Sequence, residues 1–72
     1  MILSERLKTL RTMRGLTQEE LGKRAGIPVN YISHMETGKV IPAGEWDARI
    51  REALDWTPEV DAKLDALNEV NA

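Results

Sequence analysis

Apolar residues recur along this chain at helical rather than alternating intervals. Leu3, Leu7 and Leu10 stand at i, i+4 and i+7, and Met13 continues the stripe, which predicts a helix over residues 2–14 ended by Gly15. Thr17 and Glu20 have the spacing of a capping box, with Leu16 and Leu21 placed as a hydrophobic staple. They open a second helix over 17–25, which buries Leu21 and Ala25 and carries Gly22 where a neighbour comes close. Gly26 stands where a left-handed residue ends a helix. Pro28 suits the first turn of the next helix, because its missing N–H has no intrahelical partner there. That third helix, 28–36, turns Ile32 and Met35 inward and stops at Gly38. Pro42 disfavours helix at Ile41. The pattern resumes over 43–54 with Trp46, Ile50, Ala53 and Leu54 on one stripe. It resumes again over 57–70, with Thr57 as cap, Pro58 at the first position, and Val60, Leu64, Leu67 and Val70 at helical spacing.

Five helices without a strand make an all-α chain, and 72 residues suffice for a single domain over 1–72. At this size the core is small and stability is on the order of a few kcal/mol. Two short helices joined by a glycine-containing turn form a helix-turn-helix unit, and the flanking helices must supply its core. The outward side of the third helix carries Asn30, Ser33, His34 and Thr37. These side chains are short and polar, and they can donate and accept hydrogen bonds as reading base edges requires. An ordinary solvated face would carry more Lys and Glu. The last helix is acidic outside, with Asp61, Asp65 and Glu69 as a like-charge ladder. Its apolar stripe either covers the core or forms a dimer seam.

Composition narrows the chemistry. There is no cysteine and one histidine, so disulfides, thiolate metal sites and a His-based metal site are not expected, nor is a cofactor. The opening MILSERL is too short in apolar run for a signal peptide, and no stretch approaches a membrane span; a soluble, cytoplasmic protein is expected. The net charge of −2 is unevenly spread. Residues 1–41 hold seven basic and four acidic side chains, a balance of +3, while residues 42–72 hold three basic and eight acidic, a balance of −5. Such a split suits a nucleic-acid-facing surface with an acidic back, and equally two solvated helix faces.

The segments L-x-x-L-R (Leu7 to Arg11), G-L-T-Q-E-E-L (Gly15 to Leu21), A-G-I (Ala25 to Ile27), Y-I-S-x-M-E-x-G-K (Tyr31 to Lys39), Pro42 and A-L-x-W-T (Ala53 to Thr57) come in a specific order and spacing. Over residues 3–57 the chain thereby resembles the Cro/repressor-like (XRE-type) helix-turn-helix family of phage and bacterial regulators. The resemblance implies a five-helix repressor-like bundle whose third helix lies in the DNA major groove. Family base-reading positions correspond to Val29, Asn30, Ser33 and His34. Asn30 suits a bidentate contact with adenine, and Val29 a thymine methyl. Thr17, Gln18, Tyr31 and Lys39 correspond to contacts with the DNA backbone, Gln18 at a helix N-terminus that attracts anions. Arg11 and Glu36 match an ion pair that bridges the first and third helices. The chain departs from the family at Pro28, where a Ser or Thr cap is common. It departs also at Val40-Ile41, where many relatives are more basic, and at Trp56, where a smaller apolar residue is usual. Trp46 and Trp56 are expected as core or interface anchors.

The resemblance therefore implies a sequence-specific, double-stranded DNA-binding regulator of repressor type, acting as a homodimer on a palindromic operator, because one short recognition helix reads few base pairs. A reading from another class is a protein-interaction module, such as an antitoxin or accessory regulator, docking a basic partner through its acidic C-terminal half. An enzyme is not expected. Ser33, His34 and Glu36 are near in sequence but fall on different helix faces, and no glycine-rich loop, metal set or nucleophile–base pair accompanies them.

Overall fold

The computed structural model describes Ile2 and residues 4–71, with side chains through Leu67. Five helices follow one another: α1 (Ser4–Met13), α2 (Gln18–Ala25), α3 (Val29–Glu36), α4 (Gly44–Ala53) and α5 (Pro58–Asn71). No strand occurs among the described residues. Three of the boundaries have a clear local cause. At the start of α2 the Thr17 Oγ1 accepts from the Glu20 N–H at 3.0 Å, while Glu20 Oε1 accepts from the Thr17 N–H at 3.1 Å. Gly26 ends α2 in the left-handed region at φ 69°, which costs a residue without Cβ little. At the start of α5 the Thr57 hydroxyl accepts from the Val60 N–H at 3.3 Å.

The core is assembled from the apolar stripes. Leu7 and Leu10 of α1, Leu21 of α2, Ile32 and Met35 of α3, and Ile50 with Leu54 at the end of α4 are fully enclosed. α2 packs on α3 and α4, and α1 packs on α3. Gly22 makes a close backbone approach possible, since a Cβ there would lie 2.7 Å from the Ile27 carbonyl oxygen. The turn that follows α2 therefore folds directly onto that helix, and this sets where α3 begins.

Three details differ from the sequence pattern. α1 begins at Ser4, with Ile2 buried ahead of it; Leu3 lies outside the described residues, as do the side chains of Glu69 and Val70. Met13 does not extend the α1 stripe: it is 62% exposed, because the chain turns away at Arg14–Gly15 and Leu16 fills that end of the core. Pro28 precedes α3 as its cap residue, with ψ at 141°, and α3 starts at Val29 without a side-chain cap.

α5 is docked by burial and flanked by ion pairs. Leu64 and Trp56 are buried and Val60 is partly so, while Leu67 is half exposed. Asp61 is a meeting point: its carboxylate accepts from the Trp56 indole N–H at 2.6 Å and lies 3.5 Å from Arg51 and 3.8 Å from Arg6. Arg6 also pairs with Asp65. The Arg51 guanidinium sits over the Trp56 ring at 5.3 Å, within cation–π reach. These partners relieve the like-charge repulsion that Asp61 and Asp65 would otherwise suffer one turn apart. Arg14 secures the turn between α4 and α5, donating to the carbonyls of Leu54 at 2.9 Å and Asp55 at 3.3 Å. Those are free carbonyls at the end of α4, where a cation is favoured.

Candidate nucleic-acid interface

Two helix starts bear on the candidate interface, that of α2, which meets the end of α3 through Gln18 and Glu36, and that of α3 itself. The first is the N-terminus of α2. Its capping box uses the N–H groups of Thr17 and Glu20, while those of Gln18 and Glu19 have no intrahelical acceptor. The Glu20 carboxylate is held below the usual carboxylate range, chiefly because it accepts from the Thr17 backbone N–H. Gln18, the first residue of α2, is half-buried, and its side-chain N–H donates to Glu36 Oε1 at 3.1 Å.

That carboxylate is the hub of a three-helix network. Glu36 also accepts from Arg11 Nε at 2.6 Å and Arg11 Nη2 at 3.1 Å, in the two-pronged geometry that arginine and carboxylate favour. Arg11 in turn donates to the Leu16 carbonyl at 2.7 Å. The Glu36 side chain retains 2% of its exposure and Arg11 14%. The hydrogen bond to Glu36 raises the Arg11 pKa above its ordinary value, so the guanidinium stays charged throughout the range in which proteins fold. One carboxylate thus ties α1, the start of α2 and the end of α3 together, and it fixes both the angle of α3 and the orientation of the Gln18 amide.

The second helix start is that of α3 itself. Val29 is 46% exposed and Asn30 is exposed beside it, while Ser33 and His34 are half-buried. His34 is less open than an outward residue should be for two reasons. The Tyr31 ring stands edge-on to its imidazole at 6.4 Å, and the chain wraps back over its carbonyl, which accepts from the N–H groups of Lys39 at 2.9 Å and Val40 at 3.2 Å. This wrap holds Lys39 exposed at the end of α3. Thr37 is exposed, and its hydroxyl donates to the same carbonyl at 3.2 Å. Tyr31 lies on the flank of α3 that faces α4, and its ring meets Trp46 at 5.1 Å.

The arrangement ties Gln18 to the end of α3 through Glu36, and it separates Tyr31 from Asn30 by turning the ring toward α4. It also thins the basic face that the charge split suggested. Arg6 is spent on α5, Arg11 on Glu36 and Arg14 on the end of α4. Two contacts had no legible signal in the sequence. Gln18–Glu36 and Tyr31–Trp46 depend on how α3 sits against α2 and α4, which local spacing does not encode. Among the described residues no group of three or more His, Asp or Glu side chains converges to hold a metal. No helix among them is long and apolar enough to cross a membrane.

A family model for the helix-turn-helix domain matches residues 2–67. Neither the curated proteins nor the solved structures give a match to this chain.

Proposed function

Because the chain belongs to the helix-turn-helix domain family, we propose that it is a sequence-specific, double-stranded DNA-binding transcriptional regulator of repressor type, reading the major groove with α3. The observation that carries this reading is the exposed start of α3, with Val29 and Asn30, held at a fixed angle by the Arg11–Glu36–Gln18 network. Direct readout needs side chains placed to within fractions of an ångström, and a rigid helix start supplies that placement. Asn30 takes an adenine edge and Val29 a thymine methyl, while Ser33 and His34, partly covered, read or buttress the neighbouring step. Gln18, Thr17 and Lys39 hold phosphates, the first two at the partial positive charge of a helix N-terminus. α3 is eight residues long and spans about two turns. A second copy on a palindromic site, about one helical turn of DNA away, supplies the remaining specificity. The protein acts in the cytoplasm by binding alone, with no reaction and no cofactor of its own.

The alternative of docking a basic protein through the acidic C-terminal half has less support, because Asp61 and Asp65 already neutralise Arg6 and Arg51 within the fold. Selection of duplexes from a random-sequence pool at low salt tests the proposal. Retention of a palindromic duplex is expected, with affinity falling by about 1–3 kcal/mol on Asn30→Ala and discrimination lost at one base position per half-site. Retention of no duplex contradicts it.

A further inference from the structure

Tyr31 is the one aromatic residue of α3's first turn, and it does not stand alone. Its ring meets Trp46 of α4 edge-on, with centroids 5.1 Å apart and planes at 65°. It meets His34, three residues along α3, at 6.4 Å and 78°. Both geometries are the edge-to-face arrangement that aromatic quadrupoles favour. Trp46 is half-buried and packs against the core, whereas Tyr31 keeps 39% of its exposure. Three rings therefore form a chain of contacts, with Trp46 anchored in the domain, Tyr31 in the middle and His34 on the helix that reads DNA. Ile32, Met35 and Glu36 fix the axis of α3 against α1 and α2. None of them fixes the rotamer of Tyr31, and Trp46 is the ring placed to do so.

We infer that Trp46 is a positioning residue for DNA recognition: from α4 it fixes the Tyr31 ring, and through it the His34 imidazole, in the arrangement that meets the duplex. The inference rests on the reading of α3 as the recognition helix. Its physical basis is preorganisation. A tyrosine free to sample several rotamers must be ordered when the complex forms, and that entropy is subtracted from the affinity. A ring already held edge-on needs no such ordering. Trp46 itself lies on α4, outside the two helix starts proposed to face DNA, so its removal deletes none of the proposed contacts with the duplex.

The test is a double-mutant cycle on a duplex selected with the wild-type protein, at one fixed salt concentration and with thermal melts run alongside. Trp46→Leu keeps apolar bulk against the core but removes the ring, and it is expected to weaken binding by about three- to tenfold. Trp46→Phe, which retains an edge-to-face partner, is expected to recover affinity to within about twofold of wild type. In a Tyr31→Ala background the same Trp46→Leu change is expected to matter by less than about twofold, because the ring it holds is gone. The slope of affinity against salt is expected to stay unchanged, since no cationic side chain is removed. Should leucine lower the melting temperature below that of the assay, Trp46→Met serves as the second variant, filling the space with a flexible side chain. An equal loss with and without Tyr31, or no loss on Trp46→Leu, overturns the inference while leaving the DNA-binding reading intact. Failure of the wild type to retain any duplex overturns both.

Discussion

Replacing Glu36 by alanine removes three hydrogen bonds at once and leaves a cation without its counter-charge. The carboxylate accepts from two nitrogens of Arg11, at 2.6 and 3.1 Å, and from Gln18 at 3.1 Å, in a pocket that leaves its side chain 2% exposed. Removing one partner of a fully buried pair costs about 3–5 kcal/mol, most of it from the orphaned charge. Arg11 retains 14% exposure and its bond to the Leu16 carbonyl at 2.7 Å, so the lower end, about 3 kcal/mol, applies here. At roughly 0.05–0.15 kcal/mol per residue, a chain of 72 residues has about 4–11 kcal/mol in all. Glu36→Ala should therefore remove between a quarter and three-quarters of the stability. Urea unfolding followed by far-UV circular dichroism measures it directly, as a fall in midpoint at constant slope. The double variant Arg11→Met with Glu36→Leu should recover most of the loss, because apolar partners of similar volume carry no desolvation cost. A loss under about 1 kcal/mol for Glu36→Ala would refute the reasoning, since it would mean that the pair behaves like an exposed, solvent-screened one.

Other consequences are as specific. Gly22→Ala improves helix propensity by about 1 kcal/mol, yet its Cβ would sit 2.7 Å from the Ile27 carbonyl oxygen, a backbone atom with little freedom to retreat. A net loss of about 1–3 kcal/mol is expected, read as a lower melting temperature. The Glu20 carboxylate is more acidic folded than unfolded, so its capping contribution is present above the ordinary carboxylate range and is lost as pH falls through the lowered value. The stability gap between wild type and Glu20→Ala should therefore close on acidification, and pH-dependent urea titrations follow it. Lys39→Ala should weaken binding equally for all duplex sequences and lessen the slope of log affinity against log salt by about 0.9 per copy, which fluorescence anisotropy at several salt concentrations resolves.

Most of the fold is legible in the sequence because its signals are local. The Thr17–Glu20 box, the left-handed glycine at position 26 and the Thr57 cap each act within four residues, and the three boundaries they set fall within one residue of where they put them. Met13 misleads because spacing alone cannot tell whether a stripe continues or the chain turns; the turn at Arg14–Gly15 hands that core position to Leu16. The charge split misleads for a similar reason. Counting treats every arginine as a surface charge, while Arg6, Arg11 and Arg14 are used inside the fold on partners up to 59 residues away. At the candidate interface, the residues on α3 are readable from helical periodicity. Their support is not, because Gln18–Glu36 and Tyr31–Trp46 are made between helices.

The central claim is that α3 and the start of α2 form the surface that meets DNA. Titration of the labelled protein with its selected duplex, followed amide by amide by NMR, tests this most directly. The largest shifts are expected at Thr17–Glu19, Val29–His34 and Lys39, saturating at one duplex per two protein chains. Shifts confined to α5, or none at any duplex concentration, would contradict the claim.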